Sequence, residues 1–552
     1  MKAKALFFIV IVSSIALYGC GNCCSSSGNP ERPAGRELQT ASQATTVQTV
    51  SGKVAGYIDG GIYTYKGIPY AKAERFMPPV PADSWEGIRS SRAYGPTCPQ
   101  GKRMGWYSDE QAFSFDWNDG FPDEDCLRVN IWTPGINDGK KRPVMVWLHG
   151  GGYSTGSGQE LPSYDGHNLA AKGDVVVVTL NHRLNVLGFL DLSAYGEKYA
   201  HSGNAGLLDI VAALNWVQAN IGNFGGDASN VTIFGQSGGG GKVSTLLATP
   251  SAKGKFHKAI VQSGSMLRTM DSKWSRRIGA AVVEELGIAP GKIDELQKVP
   301  YEKLLAAGEK AIARIRPEAD KAGFASFIFG WAPTVEGCIL PRQPFDPEAP
   351  EQSKDIPVMI GTTIHEFSMS TYVPQLRTID KNGATEYLKT KYGDRTNEFL
   401  QLFESTYPGY QPKDLIDTDF IFRPSSVTQA GLKARQGGAP VYMYIFAWES
   451  PVLDGILRST HCMEIPFVFN NADLHSSMTG GGEDAVKLAE RMSLAWINFA
   501  YTGNPNTGDI PEWPAYDCSE GATMFFNSNC DVKYNHDKEL IDFILQFPTR
   551  GF

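Results

Sequence analysis

The chain is poor in the features that mark nucleic-acid-binding, metal-binding and repeat proteins. Its 552 residues include only nine histidines, and these form no cluster with cysteines at metal-ligand spacing. Acidic residues outnumber basic ones by 59 to 51, and the formal net charge is −8, whereas a nucleic-acid partner would require a basic face. No internal repeat is present. We therefore expect a globular protein with no metal, no other cofactor and no nucleic-acid partner, while its oligomeric state stays open.

The apolar run near the N-terminus is too short to cross a bilayer as a helix of the mature protein. Two lysines precede this run at residues 5–17, and the pattern predicts a signal peptide. The run ends in Leu17-Tyr18-Gly19-Cys20, which resembles the lipobox of bacterial lipoproteins, in which the cysteine carries lipid. Tyr18 is an unusual residue for its place in that motif, so secretion without a lipid anchor stays an alternative.

These features divide the chain into three parts. Residues 1–20 are predicted to be the signal peptide with its lipobox, and residues 21–45, rich in small and polar side chains, a flexible tether. Residues 46–552 are predicted to form a single domain, since 42% of the chain is hydrophobic and supplies ample core. We expect an exported protein of the bacterial cell envelope, anchored in the membrane through Cys20, or else a soluble secreted or periplasmic one.

Export would allow the cysteines to form disulfides. There are nine, so an even number remains if Cys20 carries lipid. The natural local pairs are Cys98 with Cys126 and Cys518 with Cys530. Spacing assigns no partners to the other four, which are Cys23, Cys24, Cys338 and Cys462. A bond between Cys338 and Cys462 is one hypothesis.

A serine flanked by glycines stands between a predicted strand and a predicted helix. The sequence Val231-Thr232-Ile233-Phe234-Gly235-Gln236-Ser237-Gly238-Gly239 contains G-x-S-x-G after four strand formers. This is the pattern of a nucleophile elbow, in which the chain reverses at the serine and forces a strained backbone conformation. The flanking glycines remove side chains where the strand and helix pass closely. We expect the hydroxyl of Ser237 to stand clear of the sheet.

Strands and helices alternate along most of the chain. The predicted strands are residues 142–148, 175–180, 231–234, 259–262, 358–361 and 441–446. Helical patterns cover residues 207–221, 486–501 and 538–545, and residues 267–330 are predicted to be a helical insertion that caps the sheet. Such alternation predicts an α/β fold with a large, mostly parallel central sheet and helices on both faces. Together with the elbow it predicts the α/β-hydrolase fold.

A serine nucleophile needs a base and an orienting acid, which in α/β-hydrolases follow in the order serine, acid, histidine. Five histidines come after Ser237, namely His257, His365, His461, His475 and His536. His461 follows the strand at 441–446 through a loop with glycine and serine, and we predict it to be the base. Glu366 lies just beyond the strand at 358–361, where sites of open α/β sheets gather, and is the predicted acid. Glu336, which precedes that strand, is the second candidate.

Several motifs in this order and spacing resemble the type-B carboxylesterases, which include cholinesterases and bacterial para-nitrobenzyl esterases. They are GIPYA at 67–71, EDCLRVNIW at 124–132, HGGG at 149–152, NHRL at 181–184, FGGD at 224–227, the elbow, GTT at 361–363 before Glu366, and His461 before EIPF at 464–467. The resemblance covers nearly the whole chain after the tether. It points to the same acid and the same base.

The resemblance implies further roles. Backbone N–H groups of Gly151, Gly152 and Gly238 would form the oxyanion hole. Ser263 would support the acid and base by hydrogen bonding. Two ion pairs that brace loops of the family would join Arg75 to Glu124 and Arg183 to Asp227.

The predicted function is hydrolysis of small or medium carboxylic esters through an acyl-enzyme. Transfer to an alcohol and lipase action on the same triad stay alternatives, and a non-catalytic, cholinesterase-like adhesion protein is the alternative of another class. Cholinesterases carry Glu before the nucleophile, whereas this chain has Gln236, which disfavours choline esters. Trp106 and Trp117 could form a cation–π site, but a packing role is favoured.

Overall fold

The computed structural model describes residues 37–101, 108–324 and 329–547. The predicted signal peptide, most of the predicted tether, Cys20, Cys23, Cys24 and Trp106 lie outside these residues.

A large sheet organises the described part of the chain, where it has twelve strands. In chain order these are β1 Leu38–Gln39, β2 Tyr57–Asp59, β3 Ile62–Pro69, β4 Arg128–Thr133, β5 Arg142–Leu148, β6 Val176–Leu180, β7 Gly226–Gln236, β8 Lys258–Gln262, β9 Val358–Thr363, β10 Val441–Phe446, β11 Thr523–Phe526 and β12 Asp531–Lys533. Their order across the sheet is β1-β2-β3-β4-β6-β5-β7-β8-β9-β10-β11-β12.

The seven neighbouring strands from β6 to β11 run parallel. The flanking strands are antiparallel. Separate two- and three-stranded pieces are formed by Thr46–Gln48, Lys53–Ala55 and Ile88–Ser90, by Ala71–Lys72 and Val80–Pro81, and by Met270–Asp271 and Thr334–Val335. Parallel neighbours require crossover connections, which the helices provide.

Seventeen α-helices are found in the described residues. They are α1 Ser42–Thr45, α2 Asp109–Phe115, α3 His167–Gly173, α4 Asn185–Phe189, α5 Ala205–Asn220, α6 Gly238–Leu246, α7 Ser272–Glu285, α8 Tyr301–Lys321, α9 Met369–Tyr372, α10 Lys381–Tyr392, α11 Thr396–Thr406, α12 Asp414–Asp417, α13 Phe422–Arg435, α14 Ile465–Val468, α15 Ser476–Thr479, α16 Glu483–Thr502 and α17 Lys538–Ile544. No helix in this part of the chain is both long enough and apolar enough to span a membrane.

Strand β5 shows how the sheet divides the core into two layers. All seven of its residues are buried, as expected of a central parallel strand. Val144, Val146 and Leu148 contribute to the apolar layer on one face. Met145 and Trp147 contribute to the layer on the other face, because side chains alternate along a strand. A smaller apolar cluster is formed by α10, α11 and α17. The predicted fold class, α/β with the hydrolase architecture, is confirmed.

The cysteines of the described residues are free thiols. The bond predicted between Cys98 and Cys126 is not formed in this structure. The two thiols are buried side by side, and the Cys126 thiol is hydrogen-bonded to Cys98, which raises the pKa of Cys126 well above the usual value. The bond predicted between Cys518 and Cys530 is not formed. Cys518 lies against α13 on one face of the sheet, 3.8 Å from the Gly431 carbonyl, while Cys530 lies beside α16 on the other face.

The hypothesis of a Cys338–Cys462 bond also fails in this structure. Cys338 is exposed in a turn, where its N–H donates to Glu336. Cys462 is buried, and its thiol donates to Oε1 of Gln236 at 3.1 Å. The two sulfurs therefore have separate surroundings.

Candidate active site

Ser237 lies at a sharp turn between β7 and α6. Its backbone has φ 58° and ψ −124°, a strained conformation for a residue that is not glycine. The Ser237 N–H donates to the carbonyl of Gln262 at 2.8 Å, which fixes the turn against β8. A β-carbon at Gly235 would lie 2.7 Å from the carbonyl carbon of Gly239, so the approach of strand and helix requires glycine there. This geometry is the elbow that the sequence predicts.

Glu366 and His461 are brought together from the ends of two parallel strands. Glu366 lies three residues after β9, and His461 lies in the loop after β10. The imidazole Nδ1–H of His461 donates to Oε2 of Glu366, and the His461 backbone N–H donates to the Glu366 carbonyl at 2.7 Å. The other carboxylate oxygen accepts from the N–H of Thr363 at 2.8 Å. Both side chains are wholly buried, so the pair is rigid and shielded from water.

Aromatic rings enclose the imidazole of His461. The ring of Phe367 lies 4.6 Å from it and that of Phe422 lies 5.2 Å away, nearly parallel to it. This burial lowers the pKa of His461, while the charges of Glu464 and Asp419 oppose the shift. Burial also raises the pKa of Glu366, and the hydrogen bond from the Thr363 N–H opposes this shift. The imidazole is therefore neutral at rest, the form that accepts a proton.

The glycine loop after β5 packs against the start of α6. Gly151 and Gly152 have φ 77° and 62°, the left-handed region that favours glycine. A β-carbon at Gly238 would lie 2.5 Å from the backbone nitrogen of Gly152. The structure thus brings Gly152 and Gly238 together beside Ser237. Gly151 precedes Gly152 in a turn, which is closed by a 3.1 Å hydrogen bond from the Thr155 N–H to the Gly151 carbonyl.

Ser263 follows β8 directly and lies near the predicted acid. Its N–H donates to the carbonyl of Gly361 at 2.8 Å, and its φ of 46° turns the chain away from the sheet. The hydroxyl lies close enough to Glu366 to lower the pKa of that carboxyl. Its supporting role stays a prediction.

The second candidate acid lies elsewhere. The carboxylate of Glu336 accepts from the side chain of Asn204 and from the backbone of Cys338 and Ile339, which closes a turn. Its carboxylate oxygens are thus held by a local turn, whereas Glu366 binds His461.

One of the two expected ion pairs is found, and the other has a different partner. Arg75 pairs with Glu124. Arg183 pairs not with Asp227 but with Asp209 of α5, at 2.7 Å and with both side chains buried. Asp227 instead accepts from the backbone and hydroxyl of Ser229 in a local turn. The motifs that contain Arg183 and Asp227 do not reveal which carboxylate faces the guanidinium of Arg183.

The sequence did not predict the positions of several buried polar residues around the site. Gln236 places its amide nitrogen 3.2 Å from Nδ1 of His461, and Glu464 accepts from Gln262 at 3.2 Å. Asp419 accepts backbone N–H groups at the start of α13. Lys242 is wholly buried in the elbow helix. Only Lys242 carried a signal, as a charge within a glycine-rich, apolar helix.

Trp117, which lies in the loop between Cys98 and Cys126, is partly buried and packs against the core. Its ring stacks on Phe115 with centroids 4.8 Å apart and an interplanar angle of 4°. Nowhere in residues 37–101, 108–324 and 329–547 does a group of acidic, histidine and cysteine side chains form a place for a metal ion.

Fold and site together define the class of this protein as an α/β-hydrolase with a serine at its nucleophile elbow. The model of the carboxylesterase family matches residues 43–544. Para-nitrobenzyl esterase of Bacillus subtilis (strain 168) is 39% identical over 92% of this chain and 99% of its own length. Phenmedipham hydrolase of Pseudarthrobacter oxydans is 32% identical over 86% of this chain and 94% of its own.

Among solved structures, an esterase from anaerobic Clostridium hathewayi that can hydrolyze aliphatic aromatic polyesters superposes with a TM-score of 0.82. It is 39% identical and covers 93% of this chain and 100% of its own. The chain belongs to the carboxylesterase family and is a carboxylic ester hydrolase.

Proposed function

We propose that the protein cleaves esters through an acyl-enzyme on Ser237. The Oγ atom of Ser237 attacks the carbonyl carbon of the ester while Nε2 of His461 takes the hydroxyl proton. The tetrahedral intermediate then collapses: the bond to the alcohol oxygen breaks, and His461 returns the proton to that oxygen. Water, deprotonated by His461, then attacks the acyl-enzyme. The bond from the acyl carbon to Oγ breaks, His461 returns the proton to Oγ, and the acid and free Ser237 are released. Glu366 holds the imidazole in the required tautomer and stabilises the imidazolium.

The hydrogen bond between His461 Nδ1 and Glu366 is the observation that carries this proposal. It places the ring proton on Nδ1, so Nε2, which lies 3.3 Å from the amide nitrogen of Gln236, is the basic nitrogen. The neutral ring is the resting form because burial lowers the pKa of His461. The backbone N–H groups of Gly151, Gly152 and Gly238 are proposed to stabilise the oxyanion, which supports both the attack and the release.

We propose small or medium esters as substrates. The named relatives support this class, since they include a para-nitrobenzyl esterase, a phenmedipham hydrolase and an esterase that acts on aliphatic aromatic polyesters. Gln236 in place of an acidic residue before the nucleophile argues against choline esters. Transfer of the acyl group to an alcohol would use the same intermediate with the alcohol in place of water.

The test is a panel of p-nitrophenyl esters of increasing acyl length, assayed with the wild type and with Ser237→Ala. We expect turnover to be highest for short or medium acyl chains and to fall by at least about 10⁴-fold in Ser237→Ala. Circular dichroism controls for folding. Equal turnover by both proteins would refute the assignment of the nucleophile. Addition of a primary alcohol distinguishes transfer from hydrolysis through the new ester formed.

We also propose that the protein is exported to the cell envelope and anchored through lipid on Cys20. The apolar run before the Leu-Tyr-Gly-Cys sequence supports this location. Growth with labelled palmitate should label the wild type and Cys23→Ser but not Cys20→Ser. An unlabelled wild type that is nevertheless exported would indicate plain secretion.

A further inference from the structure

Lys242 is a cation placed where a cation is unfavourable. It is wholly buried in the middle of α6, where the loss of hydration penalises a charged side chain. Burial lowers the pKa of its ammonium to about 7, and the carboxylate of Glu160 opposes that shift. Burial of a charged lysine costs free energy unless its contacts compensate for the lost hydration.

The contacts of Lys242 join the two elements that supply the proposed oxyanion donors. Its Nζ donates to the carbonyl of His149 at 2.8 Å, directly before the glycine loop that contains Gly151 and Gly152. The helix that bears Lys242 begins at Gly238, the third proposed donor. One side chain therefore spans both halves of the hole.

The groups around Nζ of Lys242 belong to the glycine loop and to the strand ends beside it. Nζ lies 5.5 Å from the centre of the Tyr153 ring, and Tyr153 belongs to the same loop. The imidazoles of His149 and His182 stack with centroids 4.9 Å apart, and burial with the charge of Lys242 keeps their pKa values well below the usual range. Both rings are therefore neutral and add no positive charge beside Nζ of Lys242.

We propose that Lys242 is a positioning residue that fixes the glycine loop relative to the elbow helix, so that the backbone donors point to the oxyanion. This inference rests on the proposed function of Ser237. Backbone donors stabilise the transition state only if their geometry is set beforehand, and a misplacement of about 1 Å can cost about 100-fold in rate. The ester in its ground state gains little from the same donors. Loss of Lys242 should therefore lower kcat and leave KM nearly unchanged.

The chain offers a matched control. Lys433 of α13 is also wholly buried, and its Nζ also donates to a backbone carbonyl at 2.8 Å, that of Lys354. Among the described residues, Lys433 makes no hydrogen bond to the glycine loop. Both substitutions, Lys242→Met and Lys433→Met, remove a hydrogen bond from a buried lysine to a backbone carbonyl. Lys242→Met removes it beside the active site, and Lys433→Met removes it away from the site.

The experiment measures kcat and KM for p-nitrophenyl acetate and the inhibition constant of a trifluoromethyl ketone, which forms a tetrahedral adduct. In Lys242→Met we expect kcat to fall by about 10- to 100-fold, KM to change by less than about threefold, and the ketone to bind more weakly by the same factor as kcat. In Lys433→Met all three should stay within about twofold. If Lys242→Met does not fold, Lys242→Gln, which keeps an N–H donor on a shorter side chain, should show a smaller loss of the same form.

The inference is overturned if kcat and the inhibition constant of the folded Lys242 variant stay at wild-type values, or if the loss appears in KM alone. Equal losses in the Lys242 and Lys433 variants would also overturn it, because they would indicate a general effect of stability. Ser237→Ala is assayed in parallel. Undiminished turnover by that variant refutes the proposed function itself, whereas an inactive Ser237→Ala with an unaffected Lys242→Met refutes only the role of Lys242.

Discussion

Ser237 owes its position to the glycines around it and to a backbone conformation that few side chains adopt. At the scale of single residues, the chemistry depends on the neutral imidazole of His461 and on the carboxylate that orients it. Both groups are buried, so their pKa values differ from those of exposed groups in opposite directions.

The first prediction concerns pH. Protonated His461 cannot accept the proton of Ser237, so kcat/KM should fall as pH decreases. Because burial lowers the pKa of His461, the midpoint of this fall should lie below the ordinary histidine value of 6.5. The measurement is kcat/KM for p-nitrophenyl acetate from about pH 3 to about pH 9, a range that extends well below and above the ordinary histidine pKa. A midpoint at or above 6.5 would contradict the burial argument.

The acid can be tested by a pair of matched substitutions. Glu366→Gln removes the charge that stabilises the imidazolium and permits the wrong tautomer, so we expect kcat to fall by about 10⁴-fold. Glu336→Gln alters a carboxylate that only closes a turn, and kcat should stay within about twofold. Steady-state kinetics of the two variants decide whether Glu366 or Glu336 is the acid. The reverse ranking would assign the acid to Glu336.

At the scale of elements, the site is assembled at the carboxyl ends of parallel strands. The glycine loop follows β5, Ser237 follows β7, Ser263 follows β8, and Glu366 and His461 follow β9 and β10. The buried strands and longer helices could be predicted because periodicity and glycine punctuation are local signals. For example, the helix predicted at 486–501 is observed at Glu483–Thr502.

Long-range pairings could not be predicted in the same way. The sequence motifs offered Asp227 as the partner of Arg183, and only the folding of α5 against the loop after β6 shows that the partner is Asp209. The Cys518–Cys530 pairing failed for the same reason, because a short sequence separation does not reveal that a sheet lies between two side chains.

The Arg183–Asp209 pair gives a prediction about stability. Asp209→Asn leaves the buried guanidinium without a countercharge, so the free energy of unfolding should fall by about 3–5 kcal/mol. Asp227→Asn, in a local turn, should change it by about 0.5 kcal/mol or less. Urea unfolding followed by tryptophan fluorescence measures both values. Equal losses in the two variants would restore Asp227 as a partner of Arg183.

At the scale of the whole molecule, the proposed export bears on the adjacent thiols Cys98 and Cys126. They lie together in the core, and oxidation would close a loop on one side of the site. We expect non-reduced peptide maps of protein recovered from the envelope to contain a Cys98–Cys126 bond, which would add about 3 kcal/mol of stability. Cys518 and Cys530 serve as the internal control, since their separate environments predict no bond between them. Free thiols at Cys98 and Cys126 in exported protein would contradict this expectation.

Ser237 is proposed to be the nucleophile of the folded enzyme. A fluorophosphonate tests this proposal most directly, because the attacking oxygen displaces fluoride and remains covalently phosphonylated. Mass spectrometry of the digested protein should show one adduct, on the peptide that contains Ser237, in proportion to the loss of esterase activity. The Ser237→Ala variant should remain unlabelled. Inactivation with the adduct on another residue, or full activity of a protein labelled at Ser237, would contradict the account.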